Sequence, residues 1–371
     1  MLPLALIFLR LGATSFGGPL AHIALMRGEF VERRGWLSDA EFLDLNGAVN
    51  LIPGPNSTEL AMHIGHKRGG FVGALVAGFC FILPAMLMVI VLAALYAKYG
   101  TLPAARAILW GVQPVVVVIV MGALLKFVPA ALKNPFTRAL AALAIVGAVA
   151  GLSEVTLIFI AAAIGLALAF MQPRTPHEPK VVAPSAAFLL VGLQGISLTG
   201  IFWTFAKMGA LVYGSGYVLL AYLRAELVEN LGWITDRQLL DAVAVGQVTP
   251  GPVFTTATFL GYQIGGLGGA LLATAGIFGP SFAFVGLLAL WMERTKDSPR
   301  ARLFLDCVNA ASFALMGVVT WQLARATLWA EASFDWRALL LGLVAVGLVG
   351  KTRINPAWIL VGAALVGLVV Y

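Results

Sequence analysis

The sequence has few charged side chains. Its 371 residues include 24 Lys and Arg and 17 Asp and Glu, or 11% charged, whereas an ordinary soluble chain has about 25%. Hydrophobic residues make up 60% of the chain, and the mean hydropathy is +0.95. Because a water-soluble surface cannot be built from this composition, the sequence excludes a soluble enzyme and predicts an integral membrane protein.

Cysteines and the common catalytic motifs are also scarce. Cys80 and Cys307 lie far apart in apolar surroundings, which fits neither a disulfide framework nor a metal site. The chain contains no phosphate-binding P-loop, no His-Glu-x-x-His and no Gly-x-Ser-x-Gly. We therefore predict no cofactor, no metal and no enzymatic activity.

The net charge of +7 comes from basic residues in short groups between apolar runs. This distribution is typical of orientation signals in membrane proteins and not of a nucleic-acid-binding surface. Composition thus predicts the lipid bilayer as a partner and excludes nucleic acid.

Apolar runs alternate with short polar stretches along the whole chain, and about 20 apolar helical residues cross a bilayer core. Runs 138–152 and 337–350 are short for a full crossing, and segment 185–198 either lies at the interface or crosses. The runs are 2–26, 70–97, 107–128, 138–152 and 155–171 in the first half, and 199–222, 268–292, 303–328, 337–350 and 355–371 in the second.

The two halves share one sequence plan. Shifting the chain by 197 residues aligns 12–58 with 209–255 without a gap, and 17 of those 47 positions are identical, including a Pro-Gly-Pro in each copy. We therefore predict homologous repeats at 1–171 and 199–371, joined by a linker and interfacial segment at 172–198.

The Lys and Arg distribution predicts opposite orientations for the two repeats. With five crossings per repeat and re-entrant Pro-Gly-Pro segments, one side of the membrane receives sixteen basic residues and the other six. The basic side is then cytoplasmic, and both termini are periplasmic. The predicted fold class is all-α, a polytopic membrane protein of two homologous inverted repeats. Each has about five transmembrane helices plus a broken or re-entrant Pro-Gly-Pro hairpin, which is the plan of secondary transporters.

Each repeat begins with a glycine-rich helix, at 10–19 and at 207–216. Glycine permits close helix packing, which would be a structural role. Alternatively, each helix is broken here, so that free N–H groups face a bound anion. The candidate anion-binding residues in these clusters are Arg10, Ser15, Gly17, Gly18, Lys207, Gly214, Ser215 and Gly216.

Arg10 and Lys207 occupy equivalent positions inside apolar runs. A cation at membrane depth is costly and usually faces a cavity or a partner. Two such cations related by a pseudo-two-fold axis would form a seat for a dianion. A snorkelling or ion-paired structural role is the alternative.

The Pro-Gly-Pro segments are the second candidate region. Capping boxes at 38–41 and 235–238 predict helices that run to about Asn50 and Gln247, and a further short helix starts after each Pro-Gly-Pro. Such non-helical backbone lines a cavity or, as in a kinked hairpin, is buried for packing. The candidate substrate-binding residues here are Pro53, Gly54, Pro55, Asn56, Ser57, Thr58, Pro250, Gly251, Pro252, Thr255 and Thr256.

Three carboxylates near these breaks are candidates for coupling transport to protons. Asp44 and Asp241 occupy equivalent positions, and Glu59 follows the first break, where the second repeat has Thr256. A salt bridge to a nearby arginine is the alternative role.

The sequence Arg27-x-Glu29 and its copy Arg224-x-Glu226 are interpreted as interfacial ion pairs. Their spacing and their charged surroundings favour solvated loops over a binding site.

The motifs resemble those of a known family. Phe16-Gly17-Gly18-Pro19, the stretch 32–36 that ends in Gly-Trp, and Pro-Gly-Pro at 53–55 and 250–252 are similar to the CHR family of chromate ion transporters. The similarity covers both halves, as in the long, two-domain form of that family. In the second half, Gly214-Ser215-Gly216 replaces Gly-Gly-Pro, which indicates that the two halves contribute unequally.

The resemblance implies efflux of chromate from the bacterial cytoplasm across the inner membrane, driven by the membrane potential, a proton gradient or both. The residues alone imply only a small anion, and sulfate is the alternative substrate because both anions are tetrahedral dianions. A dianion that leaves a cell negative inside gains about 2.3 kcal/mol per charge per 100 mV, so export needs no ATP. A homodimer is left open as a further partner.

Overall fold

The protein is almost entirely helical. The computed structural model describes residues 1–16, 18–49, 53–100, 102–152, 154–171, 196–212, 218–295, 299–330, 333–352, 354 and 356–371. Within these ranges the only strands are β1 (Trp329–Ala330) and β2 (Ser333–Phe334), which form a short antiparallel hairpin. The predicted all-α class is confirmed.

The helices follow one another in two similar series. The first half contains α1 (Leu2–Thr14), α2 (Gly18–Arg27), α3 (Asp39–Val49), α4 (Asn56–Tyr99), α5 (Pro103–Ala131), α6 (Pro135–Val149) and α7 (Glu154–Met171). The second contains α8 (Leu198–Leu211), α9 (Leu219–Leu223), α10 (Asp236–Val248), α11 (Thr256–Thr295), α12 (Pro299–Leu328), α13 (Trp336–Lys351) and α14 (Pro356–Val370). Two π-helical turns, Gly28–Arg33 and Arg224–Asn230, extend α2 and α9.

The two predicted capping boxes are confirmed at the starts of α3 and α10. The Ser38 N–H donates to the Glu41 carboxylate over 2.8 Å, and the Glu41 N–H donates back to the Ser38 hydroxyl. Thr235 and Gln238 make the same exchange. Each box satisfies two N–H groups that a helix start leaves free. Both helices end within one residue of the predicted position.

Several helices are long and apolar enough to cross a bilayer. Large apolar side chains such as Phe79, Val91 and Leu125 are exposed on the outer surfaces, which is typical of helices that face lipid. The chain is therefore a polytopic membrane protein, as predicted. The long stretches are Asn56–Tyr99, Pro103–Gly122, Val253–Gly286 and Arg302–Leu328, and shorter apolar helices are Leu2–Thr14, Pro135–Val149, Thr156–Met171 and Trp358–Val370.

The short apolar runs at 138–152 and 337–350 correspond to α6 and α13. These helices have 15 and 16 residues, so each is about 23 Å long and shorter than a bilayer core of about 30 Å. Most of the predicted linker and interfacial segment, at 172–195, lies outside the described residues. The repeat boundaries at 171 and 199 stay a prediction.

Sharp bends divide α4 and α11 at equivalent glycines. Gly70 has φ +58° and ψ −151°, and Gly266 has φ +61° and ψ −154°, a backbone region open essentially to glycine alone. The part of each helix before the bend is short and follows Pro-Gly-Pro, as predicted. We call this part the short arm and the part after the bend the long arm. Gly65 on the short arm of α4 packs against Gly73 on the long arm, where a Cβ would overlap the Gly73 carbonyl.

The two halves exchange helices. In the first half, α5 packs against α13 and α14 of the second, while α12 of the second half packs against α6 and α7 of the first. Because α5 corresponds to α12, and α6–α7 to α13–α14, each half presents the same surface to the other. This is the pattern of a two-fold interface. The repeats are therefore related by a pseudo-two-fold axis, with α4 and α11 packed against each other.

The first glycine of each cluster lies at a close helix crossing. A Cβ on Gly12 of α1 would overlap the Phe81 carbonyl of α4, and a Cβ on Gly209 of α8 would overlap the Ile277 carbonyl of α11. Small residues at such contacts are typical of membrane helices, which associate by close backbone approach. The packing role that the sequence left open applies to these two glycines.

Gly209→Ala is expected to destabilise the protein by about 1–3 kcal/mol, because the added methyl group must displace the Ile277 carbonyl. Thermal unfolding of the purified protein in detergent measures this effect as a lower Tm. Gly279→Ala is the matched control, since Gly279 lies on α11 with nothing within 4 Å of its Cβ position and alanine is the better helix former. An equal loss of Tm in both variants would contradict the close crossing.

Candidate functional site

Both glycine-rich helices are broken, as the anion-binding hypothesis requires. In the first half α1 ends at Thr14, Ser15 is extended with φ −83° and ψ 90°, and α2 begins at Gly18. In the second half α8 ends at Leu211, and Val212 is extended with φ −75° and ψ 111°. The candidates Gly17, Gly214, Ser215 and Gly216 lie outside the described residues.

Both Pro-Gly-Pro segments are buried, non-helical backbone. In the first half the segment lies between α3 and α4. In the second it lies between α10 and a single 3₁₀ turn, Val253–Thr255, that leads into α11. Gly54 has φ +138° and Gly251 has φ +94°, so a residue with a side chain would be strained at either position. The predicted breaks are confirmed.

The two kinds of break meet across the pseudo-two-fold axis. The Gly54 N–H donates to the Val212 carbonyl over 2.7 Å, and the Gly251 N–H donates to the Ser15 carbonyl over 2.8 Å. In the sequence repeat Gly54 corresponds to Gly251, and Ser15 to Val212. The Pro-Gly-Pro of each half is thus bonded to the broken helix of the other. At two equivalent buried positions, non-helical backbone of one repeat is therefore hydrogen-bonded to non-helical backbone of the other.

Polar groups with few partners gather at the first Pro-Gly-Pro. The Thr58 hydroxyl, both Glu59 carboxyl oxygens and the Ser281 hydroxyl are buried. Among the described residues, Glu59 and Ser281 have only each other as hydrogen-bond partners, and the Thr58 hydroxyl has none. A Cβ on Gly54 would overlap both Glu59 Oε1 and Ser281 Oγ, so both atoms face the Gly54 Cα. Ser57, next to them in the first turn of α4, is also buried. Buried polar groups left unpaired are typical of a site that binds something.

The second Pro-Gly-Pro has no such cluster in the described part of the chain. The Thr255 hydroxyl donates to the Pro252 carbonyl over 2.8 Å, and the Thr256 hydroxyl donates to the Val253 carbonyl over 2.8 Å. A Cβ on Gly251 would lie 2.6 Å from the Ala85 methyl group. The two breaks share a backbone geometry but differ in chemistry, in agreement with the unequal halves that the sequence indicates.

Sequence reasoning missed two polar residues of this region, Ser281 and His22. His22 on α2 is fully buried, and its Nε2 lies 3.1 Å from the Ser15 carbonyl oxygen. The other ring nitrogen and the Ser15 hydroxyl have no partner among the described groups. A position-by-position comparison of the repeats could have found both residues. Ser281 is polar where the other repeat has Ala85, and His22 is polar where it has Leu219.

Arg10 and Lys207 are both ion-paired. Arg10 Nη2 lies 2.6 Å from Glu29 Oε2, and Lys207 Nζ lies 3.0 Å from Glu226 Oε1. The Arg10 side chain is 46% exposed, so it is not enclosed at either buried position. The sequence left two roles open for Arg10 and Lys207. These contacts favour an ion-paired structural role over direct binding of the anion.

The expected pairing of Arg27 with Glu29 is wrong. Arg27 instead contacts Glu32 and, over 2.6 Å, Asp39 at the start of α3. Arg224 contacts the corresponding residues of the second half, Glu229 and Asp236. Neighbours two apart point away from each other on a helix, so the π turns direct the glutamates to other partners.

Glu29 is held by three arginines. Burial, the largest influence, raises the pKa of its carboxyl, but hydrogen bonds from Arg34, Arg10 and Arg33 together lower the pKa below the ordinary value of 4.5. The Arg34 Nε lies 2.6 Å from Oε1, and the Arg33 Nη1 lies 3.2 Å from Oε2. The ionised carboxylate therefore stabilises the π turn Gly28–Arg33.

The three candidate coupling carboxylates differ in environment. Asp241 is buried but accepts hydrogen bonds from the Tyr96 hydroxyl and the Gln113 amide, each over 2.8 Å. The side chain of Asp44 lies outside the described part of the structure. Glu59 is fully buried beside the Ser281 hydroxyl, and no cation pairs with it in the described ranges.

Glu29→Gln is expected to lower the Tm at neutral pH and to lose this effect in acid. Since the folded-state pKa of Glu29 is depressed, its contribution is present above the ordinary value of 4.5 and disappears as the pH falls through the depressed value. Thermal unfolding of both proteins in a pH series measures the difference. Glu32→Gln, which removes an exposed partner of Arg27, should change the Tm little at any pH. A Glu29→Gln deficit that persists in strong acid would contradict the assignment.

Comparison with known proteins agrees with the resemblance drawn from the motifs. The Chromate transporter family matches residues 2–166 and 199–368. The chain is 34% identical to the chromate transport protein of Cupriavidus metallidurans, over 99% of this chain and 92% of that protein. It is 31% identical to the chromate transport protein of Pseudomonas aeruginosa, over 98% and 91%.

The chain is also 30% identical to the probable chromate transport protein of Synechococcus elongatus, over 98% of this chain and 93% of that protein. No solved structure matches the chain significantly. The family matches both repeats, and the chain has the helical, membrane-spanning fold that such a transporter needs. The chain therefore belongs to the chromate transporter family.

Proposed function

We propose that the protein exports chromate from the cytoplasm across the bacterial inner membrane, by alternating access at the paired helix breaks. The observation that carries this proposal is the reciprocal hydrogen bonding of Gly54 and Gly251, because it joins non-helical backbone of the two repeats at equivalent buried positions. Secondary transporters hold their substrates at such breaks. Support for chromate as the substrate comes from the family and from the relatives named as chromate transport proteins.

The anion binds mainly at the first break. The start of α4 places the positive end of a helix at this break, and the hydroxyls of Thr58 and Ser281 are donors there. The Thr58 and Glu59 N–H groups already donate to the Pro55 carbonyl. At the second break, Thr255 and Thr256 already donate to backbone carbonyls and must first release them. The proposed site is therefore asymmetric, although the backbone around it is symmetric.

Arg10 and Lys207 act on this site indirectly. Their partners Glu29 and Glu226 lie in the two π-helical turns that follow the broken helices. The pairs fix those turns and so hold each broken helix in place. In this proposal the anion is bound by hydrogen-bond donors and the helix dipole instead of a basic side chain.

The membrane potential is the main driving force for export. A dianion that leaves a cell negative inside gains about 4.6 kcal/mol per 100 mV, which corresponds to a gradient of about a thousand-fold. A proton gradient is the alternative driving force. Sulfate is the alternative substrate, because a site built from N–H and hydroxyl donors suits any tetrahedral dianion. A homodimer stays a prediction.

Opposite orientation of the repeats completes the proposal. The pseudo-two-fold exchange of helices is compatible with an axis in the membrane plane. The excess of basic residues on one side, sixteen against six, supports that axis, with the basic side cytoplasmic and both termini periplasmic. The substrate site then lies near the midplane between the repeats.

Cysteines at positions 33 and 230 are expected to react from opposite sides of the membrane, because these positions lie in equivalent π turns of inverted repeats. Arg33→Cys and Asn230→Cys are made separately in a Cys80→Ala, Cys307→Ala background. A membrane-impermeant maleimide is then applied to right-side-out and inside-out vesicles. Labelling of both positions from the same side would overturn the inverted orientation.

Inside-out vesicles that carry the protein are expected to accumulate radiolabelled chromate when an interior-positive potential is imposed. Vesicles without the protein, and vesicles with the potential collapsed, are the controls. Accumulation that survives excess sulfate supports a chromate exporter, and accumulation that sulfate blocks supports a shared oxyanion site. No accumulation under either a potential or a pH gradient would overturn chromate export, and the same vesicles would then be tested with other oxyanions.

A further inference from the structure

We infer that the anion and a proton cross the membrane in the same direction, with Glu59 as the residue that carries the proton. This inference rests on the proposed anion transport and assigns its coupling. The proton and the anion are taken up from one side, occupy adjacent positions at the first Pro-Gly-Pro, and are released together on the other side. The protein is then a proton–anion symporter and not an antiporter. A dianion exported with one proton carries one net negative charge, so the membrane potential contributes about 2.3 instead of about 4.6 kcal/mol per 100 mV, and an outside-acid pH gradient opposes export.

The first argument is the environment of Glu59. Its side chain is 0% exposed, no cation pairs with it among the described residues, and the polar group beside it is the neutral Ser281 hydroxyl. An ionised carboxylate buried without a paired cation costs several kcal/mol, whereas the neutral acid does not. Glu59 therefore holds a proton in this conformation. It can release that proton only when a conformational change gives it access to water or to a cation.

The second argument is the position of Glu59 relative to the break. Glu59 Oε1 and Ser281 Oγ both face the Gly54 Cα, at the start of α4, where the positive end of the helix dipole favours an anion. An ionised Glu59 would repel a dianion bound there, because like charges a few ångströms apart in a low-dielectric interior repel strongly. A proton on Glu59 removes that repulsion.

The consequence for coupling follows from thermodynamic linkage. If the proton raises the affinity for the anion, the anion must raise the affinity for the proton by the same factor. The two ligands then favour joint occupancy, which defines symport. Antiport would require each of the two ligands to weaken the binding of the other. Because the ionised Glu59 is negative, the proton that neutralises it instead strengthens anion binding.

Other titratable groups near Glu59 act in the same direction. His63 lies one helical turn further along α4, is buried, and has an Nε2 without a partner among the described groups. His22 is buried on α2, which packs against α4. A proton on either histidine adds positive charge and also favours an anion. Asp241 is held by Tyr96 and Gln113.

Three other helices pack against α4. The helix α1 carries one charged side chain, Arg10, which pairs with Glu29. Across the interface, α11 contributes the non-titratable Ser281. On α3, which also packs against α4, the side chain of Asp44 lies outside the described residues.

The coupling belongs to the first half alone. At the positions of Glu59, His63 and His22 the second half has Thr256, Phe259 and Leu219, none of which exchanges a proton in the physiological range. The pseudo-symmetric backbone thus contains one proton site instead of two. A second proton per anion is not required by this arrangement.

The test uses purified full-length protein in liposomes, with the potential clamped at zero by valinomycin and equal potassium on both sides. The experiment is done in the alkaline range, where chromate is a dianion, and radiolabelled chromate is the probe. An outside-acid gradient of one pH unit is expected to drive up to about tenfold accumulation inside the liposomes for each coupled proton. Reversing the gradient is expected to drive chromate out.

Three outcomes for the wild-type protein are decisive. Accumulation toward the alkaline side supports symport. Accumulation toward the acidic side, or potential-driven flux with no effect of the pH gradient, overturns symport and leaves chromate transport standing. If neither chromate nor sulfate moves under either gradient, the proposed function and its coupling are both overturned.

Variants then test the role of Glu59. Glu59→Gln, with folding checked by its Tm, is expected to lose the accumulation driven by the pH gradient, whereas Glu59→Asp keeps it. Glu41→Gln is the matched control, because Glu41 is an exposed glutamate of the same half and the second half has Gln238 at that position. Retention of pH-driven accumulation by folded Glu59→Gln would overturn the assignment of the proton to Glu59.

Discussion

The centre of this protein depends on two backbone hydrogen bonds that the repeats exchange, from Gly54 to Val212 and from Gly251 to Ser15. A helix broken at membrane depth leaves polar backbone groups that lipid cannot satisfy. Here the break in one half provides the partner for the break in the other. Neither half could keep its own breaks buried in this way, which explains why the repeats interlock instead of packing as two separate bundles.

The backbone at the centre is nearly the same in both halves, whereas the side chains differ. The backbone provides the breaks and crossings, and the side chains provide the groups that could contact a ligand. Glycine and proline recur in both halves, because the bends and close crossings depend on them. The polar groups that could contact an anion or a proton are concentrated at the first break, where the second half contributes Ser281, whereas the hydroxyls at the second break donate to backbone carbonyls. The positions that differ in this way are Glu59 and Thr256, Ser281 and Ala85, and His22 and Leu219.

Local sequence signals predicted most of the architecture. The repeat, the capping boxes and the broken helices all follow from proline, glycine and polar residues whose effect reaches only a few positions along the chain. The partner of Arg10 and the contact of Ser281 with the first break could not be predicted, because residues from distant segments meet there. Glu29 has arginines on three sides, and only the fold determines that Arg27 is not one of them.

The exchange of helices also sets the order in which the chain can be completed. Gly111 of α5 packs against the backbone of α14, and Gln113 donates to Asp241 of α10. The helix α14 leaves the ribosome some 240 residues after α5, or roughly 12 to 50 s later at the usual rate of synthesis. Until then α5 sits in the membrane with Gly111 uncovered, and its Gln113 amide waits for Asp241, which follows 128 residues later. The first half must therefore be inserted as an open bundle, which closes onto α14 only when that helix arrives.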